Sequence, residues 1–179
     1  FMTELQQKLF NKRVIVIDGN IDFKTFDYVR EVVGRLSLLD EPPKLTVEIT
    51  CYGGNVNHSL WIYDLIRLYQ GSTTGRVIGF AKSMAAIILQ SCNYRQMSSH
   101  SYLKVHNITN HRPTTVKEMR DEKKMLAIIE DTESSEKNQV NILLSRTGLS
   151  QEFIIKLLEE DRDMDANEAK KLNFIDEII

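Results

Sequence analysis

Cysteine is scarce in this chain: Cys51 and Cys92 are the two in 179 residues. Neither belongs to a CxxC pair or a Cys/His cluster, which excludes a disulfide framework and a structural zinc site. His58, His100 and His111 also lack metal partners at ligand spacing, so surface or capping roles are expected of them. No apolar run approaches the roughly 20 residues needed to cross a bilayer, so no membrane partner is expected. The start, Phe1-Met2-Thr3, shows no secretory leader, and a cytoplasmic or similar reducing compartment is the expectation. A net charge of −2 gives no reason to expect nucleic acid as a partner. No G-x-x-x-x-G-K-[ST] loop is present to cradle nucleotide phosphates. Neither a metal nor an organic cofactor is called for.

What is present reads as a globular protein, 42% hydrophobic and 27% charged. At this length a single domain, residues 1–179, burying about 70% of the unfolded chain's surface is expected. There is no internal repeat and no low-complexity segment. Strand and helix patterns alternate. Residues 13–18 read as a strand, and residues 23–39 as a helix with Phe26, Val29, Val33 and Leu36 at helical spacing. Pro42-Pro43 then forces a turn. Strand 45–50, helix 57–70, strand 74–79 and helix 83–91 come next, with short strands at 95–97 and 102–105. The alternation predicts an α/β layered fold with helices crossing between largely parallel strands.

Chemistry concentrates in four segments. In Gly79-Phe80-Ala81-Lys82-Ser83-Met84-Ala85-Ala86 a strand pattern becomes a helix pattern at a lone serine. A serine on such a turn lifts its hydroxyl into a cleft, and the next backbone N–H points into the same space. The plain alternative is that Ser83 only caps the helix. Upstream, Gly53-Gly54 interrupts the chain between a strand and a helix. Paired glycines let the backbone approach a ligand closely, and an N–H there can join that of Met84 in an oxyanion hole. Downstream, Ser101-Tyr102-Leu103-Lys104-Val105-His106 is a strand ending in a histidine. After Thr147-Gly148 and a short helix comes Asp161-Arg162-Asp163-Met164-Asp165. Serine, histidine and aspartate in that order can supply a nucleophile, its base and the group orienting the base.

As a set these segments resemble the ClpP peptidase family, the proteolytic chamber of ATP-dependent Clp proteases. Gly79, Ala81, Ser83 and Met84 match the family's G-x-A-x-S-M pattern. Gly53-Gly54-x-Val56 with Ile62-Tyr63-Asp64 resembles its G-G-x-V and I-Y-D. Val105-His106, Thr147-Gly148, Asp161-Arg162 and Glu168-Ala169 resemble its later motifs. The likeness runs from about Leu9 to Ile179. It implies a ClpP/crotonase-like layered βα-superhelix and a serine endopeptidase that degrades unfolded polypeptides inside a ring chamber. Ser83 would be the nucleophile, His106 the general base, and the N–H groups of Gly54 and Met84 the oxyanion hole. Asp161 falls in the family's register without a gap and would be the orienting acid. Asp163 matches an Asp-Arg-Asp triplet found in relatives only if a deletion precedes Met164. The resemblance further implies heptameric rings stacked as a tetradecamer, and an AAA+ Clp ATPase as the partner that consumes ATP.

Several residues depart from the family's pattern. Thr50-Cys51-Tyr52 replaces its Asn-Ser-Pro, and Ala85 replaces a glycine after the Ser-Met pair. Residues 107–115 replace a Gln-Pro and a glycine-containing substrate-clamping strand, and no glycine occurs between Gly79 and Gly148. Substrate preference is therefore expected to differ. Little chain precedes Leu9, so the family's N-terminal axial loop is expected to be short. Residues 116–146 read as one long charged helix within a handle of about 114–146, whose apolar stripe would need a partner. Trp61, Tyr63 and Tyr69 are expected to pack or make subunit contacts. Two other readings stay open: a non-catalytic ring subunit modulating a catalytic partner, and a crotonase-type acyl-CoA enzyme.

Overall fold

A computed structural model describes residues 2–109 and 115–179. His111 and the middle of the divergent segment 107–115 lie outside the described residues. The chain runs α1 (Glu4–Asn11), β1 (Val14–Ile21), α2 (Phe23–Ser37), β2 (Leu45–Gly54), α3 (Val56–Leu68), β3 (Thr73–Lys82), α4 (Met84–Leu89), β4 (Tyr94–Met97), β5 (Tyr102–Lys104), α5 (Val116–Met119), α6 (Glu122–Thr147), α7 (Gln151–Glu160), β6 (Asp163–Asp165), α8 (Ala166–Lys171) and β7 (Glu177–Ile178). Strand order is β1-β2-β3-β4-β7, with β5 on β3 and β6 on β5. Every pairing is parallel except β5–β6. The α/β class and the largely parallel sheet agree with the sequence pattern.

Alternation along β2 shows why the sheet has one dry face. Leu45, Val47, Ile49 and Cys51 are buried, while Thr46, Glu48, Thr50 and Tyr52 are not. α2 packs on β1 and α4 on β2 and β3, and α3 packs on both helices, with Val29, Val33, Ile62 and Ile66 buried in the shared core. α4 is buried throughout, and each of Ile87, Ile88 and Leu89 withdrawn from water contributes about 2 kcal/mol. The opposite face carries a polar row across the sheet. Arg76 donates to Glu48 Oε1 (3.2 Å) and to Gln96 Oε1 (3.3 Å), and Gln96 donates to Glu177 Oε2 (2.6 Å). These four residues are register neighbours on β2, β3, β4 and β7.

The feature that builds the site is a fork in β3. Its first half, from Thr74 to Val77, pairs with β4, and its last three residues, Phe80 to Lys82, pair with β5. Between them the register against β2 slips, from Ile49↔Val77 to Cys51↔Ala81. Such a bulge bends a strand and re-aims the residues beyond it. Backbone groups around the slip find side chains instead of ladder partners. Thr50 Oγ1 donates to Ile78 O (2.6 Å), and the Ser101 hydroxyl accepts from Gly79 N–H (2.9 Å). The end of β3 is thereby delivered to β5, which leads into His106.

Some boundaries differ from the sequence pattern. Helix α2 stops at Ser37 rather than Leu39, before the proline turn. The expected single helix over 116–146 is two helices: Asp121 caps α6 through Lys124 N–H (3.2 Å) and ends the short α5 before it. Within α6 the buried residues are Gln139, Leu143 and Thr147, all in its second half. Leu126 and Ile129 in the first half stay exposed, as the charged handle pattern implied. Helix α1, opened by a Thr3/Gln6 capping box, spans Leu9, and the sequence pattern named no element there.

Candidate active site

Ser83 stands between β3 and α4 with φ 55° and ψ −131°. A non-glycine residue held there costs of order 1–3 kcal/mol and persists only where its surroundings impose it. Its side chain makes no capping hydrogen bond to α4, so the helix-cap alternative raised by the sequence does not hold. The hydroxyl is half-buried at a strand-to-helix turn, and Met84 N–H opens a helix in which it has no acceptor of its own. Ser83 N–H donates to Lys104 O at 2.8 Å, which ties the serine to β5.

The Gly53-Gly54 turn lies directly against this serine. A Cβ on Gly53 would stand 2.7 Å from Ser83 Cβ, 2.9 Å from Lys82 O and 3.1 Å from Met84 N. One on Gly54 would collide with the backbone of Ile21, the register partner of Gly54 on β1. Both glycines have positive φ, 100° and 152°. Only glycine satisfies both the space and the backbone here. Cys51 Sγ accepts from Gly53 N–H at 3.3 Å inside the turn, and burial pushes its thiol above its ordinary pKa.

His106 lies two residues beyond Lys104, and the alternation of buried Val105 between half-buried Lys104 and His106 puts the two on one side of the chain. Its carbonyl accepts from Gln139 Nε2 (3.0 Å) on α6. Asp161 occupies the left-handed C-cap of α7 (φ 45°, ψ 43°) and is exposed. A hydrogen bond from Lys104 holds its carboxyl below the ordinary value, against a small opposing effect of burial, and the charges of Lys104 and His106 add to the lowering. The carboxylate forms an ion pair with Lys104 Nζ at 2.9 Å. Asp163 accepts from Lys82 Nζ at 2.8 Å. Asp165, third of the alternating acids, caps α8 through Glu168 N–H at 2.8 Å.

The chain fold thus brings Ser83, Met84, Gly53, Gly54, His106 and Asp161 to one end of the β3–β5–β6 strip. Among the described residues, no hydrogen bond joins the Ser83 hydroxyl to the His106 ring or that ring to Asp161. The sequence pattern missed Lys82, Lys104 and Gln139. The signal for the lysines was available: two cations beside the serine and histidine motifs, and an Asp-Arg-Asp segment of the opposite sign. Gln139 carried none, since a glutamine in a charged helix looks solvated. Among the described residues, no group of three His, Cys, Asp or Glu side chains is placed to hold a metal, and no helix is long and apolar enough to cross a membrane.

Comparison with known proteins identifies the family. The family model described as Clp protease matches residues 2–179. The chain belongs to the Clp protease family. It is 25% identical over 175 residues to an ATP-dependent Clp protease proteolytic subunit of Pleurastrum terricola, covering 97% of this chain and 86% of that protein. It is similar at the same identity to ATP-dependent Clp protease proteolytic subunit 3 of Rhodococcus jostii, covering 98% and 85%. It is likewise 25% identical to the ATP-dependent Clp protease proteolytic subunit of Deinococcus radiodurans, covering 98% and 84%.

Proposed function

We propose that this chain is a serine endopeptidase, the proteolytic subunit of a Clp-type ATP-dependent protease acting on unfolded polypeptides. The observation that carries the reading is the strained, uncapped Ser83 packed against the Gly53-Gly54 turn and tied to the strand that leads to His106. In this reading Ser83 attacks the scissile carbonyl as His106 takes its proton, and Asp161 stabilises the imidazolium. The N–H groups of Gly54 and Met84 hold the oxyanion, each worth a few kcal/mol. His106 then protonates the leaving amine, and water releases the acyl-enzyme. Asp161 is preferred to Asp163 because it falls in the family's register without a gap.

The reading extends to a single domain working in the cytoplasm as seven-membered rings stacked in pairs, with a Clp ATPase feeding the chamber. The exposed apolar residues of α6, Leu126 and Ile129, suit burial between rings. A solution mass of a monomer or dimer at micromolar concentration would exclude that assembly. Family membership leaves the acyl-CoA alternative without support.

Fluorophosphonate labelling of the native assembly, with the modified residue located by peptide mass spectrometry, tests the chemistry. Labelling confined to Ser83 and lost in His106→Ala is the expected result. An assembled sample that takes no label would favour the non-catalytic ring subunit.

A further inference from the structure

Four charged side chains cover the strip beside the serine, and their pairing is crossed. Lys82 on β3 and Lys104 on β5 are register neighbours, and Lys104 faces Asp163 on β6. The direct partner of Lys104 across the antiparallel pair is therefore Asp163. That carboxylate instead accepts from Lys82 at 2.8 Å, and Lys104 reaches back to Asp161 at 2.9 Å. Like charges on facing positions repel, and side-by-side lysines each need a carboxylate of their own. With Asp165 committed to capping α8, Asp161 is the acid left for Lys104.

Two groups then compete for one carboxylate. Lys104 and His106 share a side of the chain, two residues apart, and Lys104 already holds Asp161 at 2.9 Å. We propose that Lys104 is a positioning residue that withholds Asp161 from His106, so that the triad assembles only when Asp161 leaves the Lys104 ammonium for the imidazole. The proposal rests on the serine-peptidase reading above and adds to it a restraint built from this chain's own residues.

The geometry makes the restraint reversible. The Asp161 side chain is 59% exposed and that of Lys104 26%, so water competes with the ion pair and the exchange is shallow. Asp161 also stands alone at the left-handed joint between α7 and β6, where a small backbone rotation re-aims its carboxylate. No covalent bond is made or broken in the exchange; one cationic partner of the carboxylate gives way to another.

The test is the rate of fluorophosphonate labelling of Ser83 in the assembled full-length chain. Five proteins are compared: native, Lys104→Met, Lys104→Arg, Asp161→Asn and the Lys104→Met/Asp161→Asn double variant. Lys104→Met is expected to raise the rate about five-fold, the scale of releasing a partly exposed ion pair. The same substitution is expected to change nothing in the Asp161→Asn background, because Lys104 acts only through that carboxylate. Lys104→Arg, which keeps a cation at the site, is expected to stay near the native rate. Thermal midpoints and assembly mass, read on the same samples, show that each variant is folded. A purely structural lysine would move those midpoints and leave no coupling to Asp161. Equal or slower labelling in Lys104→Met, or the same effect with and without Asp161, overturns the restraint and leaves the nucleophile standing. Absence of Ser83 labelling in all five overturns the peptidase reading and the restraint with it.

Discussion

The side-chain amide of Gln139, on the long helix α6, donates to the backbone carbonyl of His106 at 3.0 Å. Gln139 is 1% exposed, so this contact joins the buried end of the handle helix to the strand end that carries the histidine. Leu143, one turn further on, is fully buried in the main core. The position of His106 therefore depends on how α6 sits against the sheet.

Gln139→Met keeps the length and removes the donor. Losing a buried hydrogen bond costs about 1 kcal/mol. A matching drop in thermal midpoint is expected, with a several-fold slower labelling of Ser83. Unchanged labelling would show that the backbone at His106 is held without the amide.

Ser83 is expected to trade stability for chemistry. Glycine tolerates φ 55°, ψ −131° where serine is strained, so Ser83→Gly should stabilise the chain by about 1 kcal/mol while abolishing peptide cleavage. Ser83→Ala abolishes cleavage equally and relieves none of the backbone strain. Denaturant unfolding of the two variants side by side reads the difference, and equal stability would remove the argument that the serine is strained.

Gly53→Ala should fail on both counts. Its methyl would stand 2.7 Å from Ser83 Cβ at a φ of 100°, so either the turn or the serine must move. A loss of roughly 2 kcal/mol or more is expected, together with loss of labelling even though Ser83 is intact. A variant with native midpoint and native labelling would mean that the turn yields at no cost.

Asp176 governs the acid limb of stability. Burial raises its carboxyl, but hydrogen bonds from the Arg95 side chain and backbone N–H outweigh that and leave it below the ordinary carboxylate value. A carboxyl depressed in the folded chain stabilises it above the unfolded value of about 3.9. That contribution fades as pH falls below this value and is gone below the lower, folded one. Arg95 has a side chain only 4% exposed and is left without its carboxylate in Asp176→Asn. The variant should lose on the order of 3 kcal/mol at pH 7 and show a flatter acid limb between pH ~5 and ~2 than the native chain. Thermal midpoints measured across that range check both.

What the sequence determined by itself was local or repetitive. Alternating Leu45, Val47 and Ile49, the helical spacing in α2 and the break at Pro42-Pro43 read directly as strand, helix and turn. These patterns arise from backbone geometry and one-sided burial within a single element. The motif around Ser83 marked a strand-to-helix junction for the same reason. Tertiary structure decided what depends on residues far apart in the chain. The fork of β3 between β4 and β5 comes from a register slip against β2, which no periodicity within β3 encodes. Whether Ser83 capped its helix or stood free was settled by its backbone conformation, at a turn packed against Gly53-Gly54 some 30 residues upstream. The division of one helix pattern into α5 and α6 turned on a single capping aspartate, Asp121. Above all, the crossed pairing that gives Asp161 to Lys104 and Asp163 to Lys82 spans about 60 to 80 residues of chain. Charges of opposite sign can be counted in a sequence, but which of them meet is decided by how neighbouring strands bring their side chains together, and here not by register alone.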